Sequence, residues 1–180
     1  MSWRGAAAWV AAFAALVAIA NVVLADGLKP DSGPIKATPE AAQQGPRDAK
    51  VVRVVDGDTI LVRDIDGSTE RVRYIGVDTP ESVKPDAPVE CFGHEASDFN
   101  KQLVQGRRVR LVPDQEAQDK YGRSLAFVYV GGTFVNAELL RNGYARTIEI
   151  EPNTSKAEYF AGLERVAIRT RKGLWRTCDR

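Results

Sequence analysis

One histidine, His94, and two cysteines, Cys91 and Cys178, are all that the 180 residues contain of those types. No cluster of His and Cys ligands can be built from so few, which argues against a zinc site. An excess of positive charge is also missing, with 25 Lys and Arg against 24 Asp and Glu. Arg4 is the one charged residue of 1–25, so the remainder is formally neutral, 24 against 24. Bulk charge therefore gives no argument for nucleic acid, and any phosphate recognition must come from local arrangement. Internal repeats are absent. Hydrophobic content of 44% and charged content of 27% fit a soluble globular chain with a real core.

The apolar residues are unevenly spread. Gly5–Ala25 runs without a charge behind a short segment bearing Arg4. Val23-Leu24-Ala25 supplies small residues before Asp26, so residues 1–25 are expected to be a cleaved signal peptide. An uncleaved N-terminal anchor is the alternative, since about 20 apolar residues span a bilayer. Both place the folded part outside the cytoplasm, periplasmic, secreted or tethered. Residues 26–47 carry Pro30, Pro34, Pro39 and Pro46 and no apolar period, which reads as a flexible linker. An even cysteine count in an exported chain invites a Cys91–Cys178 disulfide. Two free thiols, one on a frayed tail over 177–180, are the alternative.

Strand patterns cover Lys50–Val55, Thr59–Asp64 and Thr69–Val77, punctuated by Asp56-Gly57-Asp58 and Asp66-Gly67. Phe92–Gln105 reads as a helix with Ala96, Phe99 and Leu103 on its apolar face. Two more strands follow, Arg107–Val112 and Ser124–Val130. Asn136 is expected to cap a short helix that Gly143 stops. Ser155 and Glu158 match a capping box for a last helix reaching Arg171. The order predicts an α+β fold, mainly β: a five-stranded OB-fold barrel with about three helices, over residues 48–176.

Acids gather where the strands end. Asp58 closes the first turn, and Asp78 and Glu81 follow the third strand. In a meander these points share one end of the sheet. Each acid alone is ordinary turn chemistry; the grouping is what suggests a hard cation, and a loop-borne site with few carboxylates favours Ca²⁺ over Mg²⁺. Arg73 and Arg123 supply forked donors of the kind that stabilise charge on a phosphodiester. By position alone each reads as a solvated strand cation.

These residues stand in VVDGDTI (54–60), VRYIGVDTPE (72–81), FGHEAS (92–97), DKYGRSLAFVYV (119–130), FVNAELLRNGYAR (134–146) and KGLW (172–175). In this order the motifs resemble the staphylococcal nuclease (thermonuclease) family over about residues 48–176. The resemblance implies a Ca²⁺-dependent endonuclease acting on DNA and RNA and leaving 3′-phosphates; with no base-specific contacts visible in the sequence, little sequence preference and better cleavage of single strands are expected. It implies that Asp58 and Asp78 hold the metal with the backbone carbonyl of Thr79, and that Asp56 supports them. Glu81 would orient or deprotonate the attacking water. Arg73 and Arg123 would clamp the scissile phosphate, and Lys120 and Tyr121 would hold a terminal one. A monomer is expected, with a membrane as partner only if the N-terminal segment is retained.

One stretch departs from the family. Where its members often carry base-stacking tyrosines, this chain has Arg146-Thr147-Ile148-Glu149-Ile150-Glu151. Tyr144 is the nearest aromatic left to compensate. A non-catalytic OB-fold nucleic-acid-binding module is the alternative function, and a tethered domain using calcium only structurally is a third. His94 reads as a surface residue.

Overall fold

The structure is a computed structural model that describes residues 45–83 and 88–178. The expected leader, most of the linker and the last two residues lie outside the described residues. All of these described residues belong to the unit Ala37–Arg180. Among them no helix is long and apolar enough to cross a membrane.

The elements run β1 Arg47–Val54, β2 Thr59–Arg63, β3 Thr69–Tyr74, β4 Val77–Asp78, α1 Gly93–Val104, β5 Arg108–Val112, β6 Ser124–Val130, β7 Thr133–Phe134, α2 Val135–Arg141, β8 Arg146–Thr147, α3 Ala157–Arg169 and α4 Leu174–Thr177. The large sheet has the order β3-β2-β1-β5-β6-β7, and a parallel β3–β6 pairing closes five of its strands into a barrel. The expected OB-type barrel is therefore present, with three helices of seven or more residues and the four-residue α4.

Alternation sets the barrel's inside. Val51 and Val54, Ile60 and Val62, Val72 and Tyr74, Val109 and Leu111, and Ala126 and Val128 are all buried in one core. Arg47 plugs one end through ion pairs to Asp64 and Glu70, and Ser124 Oγ donates to Glu70 at 2.6 Å. Phe127, Phe134 and Phe160 meet at ring separations of 5.6–6.0 Å and join β6, β7 and α3. Cys91 and Cys178 are disulfide-bonded, with Cα atoms 5.9 Å apart. The bond closes an 87-residue separation. On the chain-entropy model a loop of that order restricts the unfolded chain by up to about 4.6 kcal/mol.

Several local expectations change. The third strand ends at Tyr74, because Gly76 takes φ 76° and lies against the Phe160 ring. The chain then resumes as β4, antiparallel to β8. The buried stripe of α1 is Ala96, Asn100 and Val104, with Phe99 and Leu103 only partly buried at its margin. Ser155 makes no capping box: its N–H donates to Asp114 Oδ2 at 3.1 Å, and α3 starts later, behind Lys156. Asn136 is not a cap either. It sits inside α2, fully buried, accepting from Val128 N at 2.9 Å and donating to the Ile75 carbonyl at 2.8 Å. One amide thus ties β6 to the end of β3 where backbone pairing stops.

Asn136→Ala leaves a buried donor and a buried acceptor unpaired, each worth about 1–3 kcal/mol. The expected loss is about 3 kcal/mol in urea unfolding; a loss under about 0.5 kcal/mol contradicts the assignment.

Candidate active site

The site is built on the turn between β1 and β2. Asp56 Oδ1 accepts from Asp58 N at 3.1 Å, and Val55 N and Asp56 N both donate to the Thr59 carbonyl. Gly57 has no room for a side chain, since an added Cβ would come within 2.5 Å of Thr79 Oγ1. That contact brings the turn against the segment after β4. Asp58 is consequently only 5% exposed.

Its carboxylate is crowded with donors. Oδ2 accepts from Thr79 N at 2.7 Å and Thr79 Oγ1 at 2.9 Å, and lies 2.7 Å from an Arg73 guanidinium nitrogen. Oδ1 accepts from Thr59 Oγ1 at 3.2 Å. Arg73 also donates to the Val77 carbonyl and to Asp78 Oδ1, both at 2.8 Å. One arginine thus bridges Asp58 and Asp78. Burial nevertheless pushes the Asp58 carboxyl up to about 6, against the pull of Arg73 and with Asp56 adding repulsion. Asp78 is raised for the same reasons, burial first, with Asp58 contributing.

The support beneath the turn was not legible as such. Asn100 Nδ2 donates to the Asp56 carbonyl at 3.2 Å, and its Oδ1 accepts from Tyr74 OH at 3.0 Å. Burial raises the Tyr74 hydroxyl well above its ordinary value. The signal available was a polar Asn100 three and four residues from the apolar or small positions Val104, Ala96 and Ser97.

Around this turn lies a cavity of about 230 Å³ lined by Asp56, Asp58, Thr59, Arg73, Asp78, Thr79, Glu81 and Arg123. Glu81 Oε1 accepts from Ser82 N and Val83 N at 2.9 Å. Its other oxygen has no partner among the described residues. The cavity holds four carboxylates against two guanidinium groups. That excess of two negative charges, together with the raised carboxyls, fits a divalent cation. Among the described residues no three His, Cys, Asp or Glu side chains approach closely enough to hold a metal alone. Two carboxylates, a carbonyl and waters are a sufficient shell for a hard ion such as Ca²⁺.

Arg123 is aimed by its own loop. Its Nε donates to Asp119 Oδ2 at 2.7 Å, and its N–H to Asp119 Oδ1 at 2.9 Å. Burial opposes ionisation of Asp119, but hydrogen bonds from Arg123 and the Tyr121 backbone outweigh it and hold the carboxyl below its usual range. Lys120 and Arg123 both lie over the Tyr121 ring, at 5.1 and 5.7 Å. Lys120 and Tyr121 do not reach the acid cavity. They line a neighbouring one of about 460 Å³, which shares Arg73 and Arg123 with it.

The far wall of that second cavity is aliphatic, with Leu125, Ile148 and Ile150. The β4–β8 pairing of Asp78 with Arg146 and Val77 with Thr147 carries this wall to the site. Glu164 anchors it, accepting from Thr147 N and Oγ1 at 3.0 and 2.6 Å. Tyr144 is not among the residues that line this cavity. It is stacked on Phe99 at 4.1 Å and on Phe92 at 5.3 Å. His94 is exposed and outside both cavities.

Comparison with known proteins adds a family. Residues 71–177 match the family model described as staphylococcal nuclease homologue. The chain is 40% identical over 160 residues to a thermonuclease of Staphylococcus hyicus, covering 89% of this chain and 94% of that protein. It is 41% identical to a thermonuclease of Staphylococcus intermedius over the same shares. The SPbeta prophage-derived endonuclease YokF of Bacillus subtilis (strain 168) is 42% identical over 130 residues, 71% of this chain and 44% of that protein.

The buried carboxyl makes a pH prediction for the metal-free protein. A folded-state value above the unfolded one means that ionising Asp58 opposes folding, so stability is lost as pH rises from about 4 through 6. Asp58→Asn removes that dependence. In chelator, the stability of the variant relative to the parent should rise by about 3 kcal/mol between pH 4 and pH 7.5. Parallel urea curves at both pH values would contradict this.

Proposed function

The chain belongs to the staphylococcal nuclease family, and on that premise we propose that it is an exported, calcium-dependent nuclease hydrolysing DNA and RNA. The observation that carries the reading is the charge of the acid cavity, four carboxylates facing two arginines around the buried Asp58. Asp58 and Asp78 would hold the calcium with the Thr79 carbonyl, and Asp56 would keep the turn in place. When bound, the ion would polarise a phosphate oxygen and lower the cost of the acid excess.

The chain's own residues do the rest. Arg73 lies against both acids and so within reach of a phosphate seated over them. Arg123 enters the same cavity from the loop before β6. Together they fork around a phosphodiester and stabilise the charge that accumulates as it becomes pentacoordinate. Glu81 orients the water or takes its proton; two backbone N–H groups fix one of its oxygens. The water oxygen bonds to phosphorus as the bond to the 5′-oxygen breaks, leaving a 3′-phosphate and a 5′-hydroxyl. Lys120 and Tyr121 receive a neighbouring phosphate at the edge of the second cavity.

Among the described residues no base-reading constellation accompanies these groups. Leu125, Ile148 and Ile150 offer an apolar wall without ring stacking. Base–aromatic stacking contributes about 1–3 kcal/mol per base, so grip on a base is weaker here than with tyrosines. Little sequence preference is expected, and single strands, which present an unstacked phosphate more readily, are the better substrate. The working form is a monomer.

The test is cleavage of denatured DNA with Ca²⁺ or with chelator. Cleavage should require Ca²⁺ and leave 3′-phosphate ends. Glu81→Ala and Arg123→Ala should each lower kcat by about a hundredfold or more. Binding without cleavage by the parent would instead make the protein a non-catalytic nucleic-acid module, and unchanged kcat in both variants would remove these residues from the mechanism.

A further inference from the structure

The outward face of the barrel carries cations that neither the core nor the acid cavity uses. Lys50 of β1 stands directly opposite Arg63 of β2 on one side and Arg108 of β5 on the other. All three are exposed. None of the three side chains has an ion-pair or hydrogen-bond partner among the described residues. Opposite side chains in such a ladder are about 5 Å apart, so the row is about 10 Å long. Like charges placed this way repel and cost the sheet stability.

Neither edge protection nor pairing with acids accounts for the row. Strand lysines often guard a sheet edge, but β1 and β2 are interior strands of a closed barrel. Neutralising acids are elsewhere: Asp64 and Glu70 are held by Arg47 at the plugged end of the barrel. Asp48 pairs with Arg110 at 3.6 Å. One rank nearer the acid cavity, Arg53 and Arg71 lie opposite either side of Leu61, also exposed.

A surface path links this face to the site. A shallow groove of about 480 Å³ is lined by Thr69, Glu70, Arg71, Tyr121, Gly122 and Arg123, its one acid, Glu70, being paired with Arg47. Arg123 also lines the acid cavity. Thr69 is the ladder partner of Arg63. Cations are thus laid out from the catalytic pocket, through the groove, to the row.

We propose that the Arg63–Lys50–Arg108 row is a second binding surface for the sugar-phosphate backbone of the nucleic-acid strand whose scissile phosphate occupies the acid cavity. The inference rests on the nuclease reading of that cavity. Three cations spread over about 10 Å offer a polyanionic backbone a run of adjacent charge contacts, and neutralising phosphates in this way is the sequence-independent source of affinity for nucleic acid. The outward positions of these strands around the row carry no aromatic ring, so the contact is with charge and not with bases. A strand long enough to reach the row gains affinity, and a trinucleotide in the cavity gains none. The formally neutral chain then binds long polyanions through segregated charge.

The test compares the parent with Lys50→Gln/Arg63→Gln/Arg108→Gln. Binding of a labelled 24-nucleotide single strand is read by fluorescence anisotropy in chelator, and cleavage of the same strand and of a trinucleotide is read in Ca²⁺. The variant should bind the 24-mer about tenfold more weakly at 50 mM salt. Its slope of log K against log salt should be shallower by about 2, at about 0.7 per lost contact. Trinucleotide kcat/KM should stay within twofold of the parent. Lys50→Arg/Arg63→Lys/Arg108→Lys, which keeps the charges, should bind like the parent; if it also loses binding, or if the glutamine variant loses none, the proposal is overturned. Vesicles containing phosphatidylglycerol form the third arm. A glutamine variant that loses vesicle binding but keeps the 24-mer would make the face a membrane contact and overturn the proposal. Should the parent cleave nothing, the nuclease reading fails on that result alone, and the anisotropy arm still decides whether the row binds a strand.

Discussion

A buried carboxylate that has more donors than solvent around it governs this molecule. Asp58 accepts from Thr79 twice and lies against Arg73, so it joins the β1–β2 turn, β3 and the segment after β4. Its own carbonyl accepts from Tyr74 N. Removing such a group from water is costly unless partners replace the hydration. Here they replace it only partly, since the carboxyl still sits near 6. The turn is therefore a place where the fold accepts unfavourable electrostatics. It can do so because Asn100, Tyr74 and the Gly57–Thr79 contact hold the backbone from beneath. On the proposed reading, a divalent ion offsets the remaining cost and frees Arg73 to face a phosphate.

Charge is sorted by position in this fold. The bulk balance is nearly zero, yet four acids converge on one small cavity, and cations with no partner among the described residues stand side by side on the barrel's outward face. Arg123 stands at the junction, lining the acid cavity, the aliphatic-walled cavity and the shallow groove. Its fixed pairing with Asp119 keeps the guanidinium there. A net-charge argument misses this arrangement because it averages over surfaces that face different ligands.

Much of the site was readable in the chain because turn chemistry and ladder position are local. Asp56-Gly57-Asp58 and Asp78-Thr79 sit at strand ends, and a meander brings strand ends together. The barrel followed from five short alternating runs. What was not readable depends on side chains that act across the fold. Asn136 fits a helix cap by sequence, yet the tertiary structure places it one residue inside the helix to serve Val128 and Ile75. Ser155 has capping-box spacing, but Asp114, 41 positions away, takes its N–H. Tyr144 reads as a spare aromatic by sequence, yet its ring is stacked on Phe92 and Phe99. The cation row was equally hidden, because Lys50, Arg63 and Arg108 become neighbours only through strand register.

The central claim is that Asp58 and Asp78 form a divalent-cation site completed by backbone and water. Calorimetric titration of Ca²⁺ into the metal-free protein at pH 7.5, beside Asp58→Asn, addresses it without reference to any substrate. The account predicts one Ca²⁺ bound by the parent, with the heat lost or the affinity reduced at least about tenfold in the variant. Equal binding by the two proteins, or none by the parent, would contradict it.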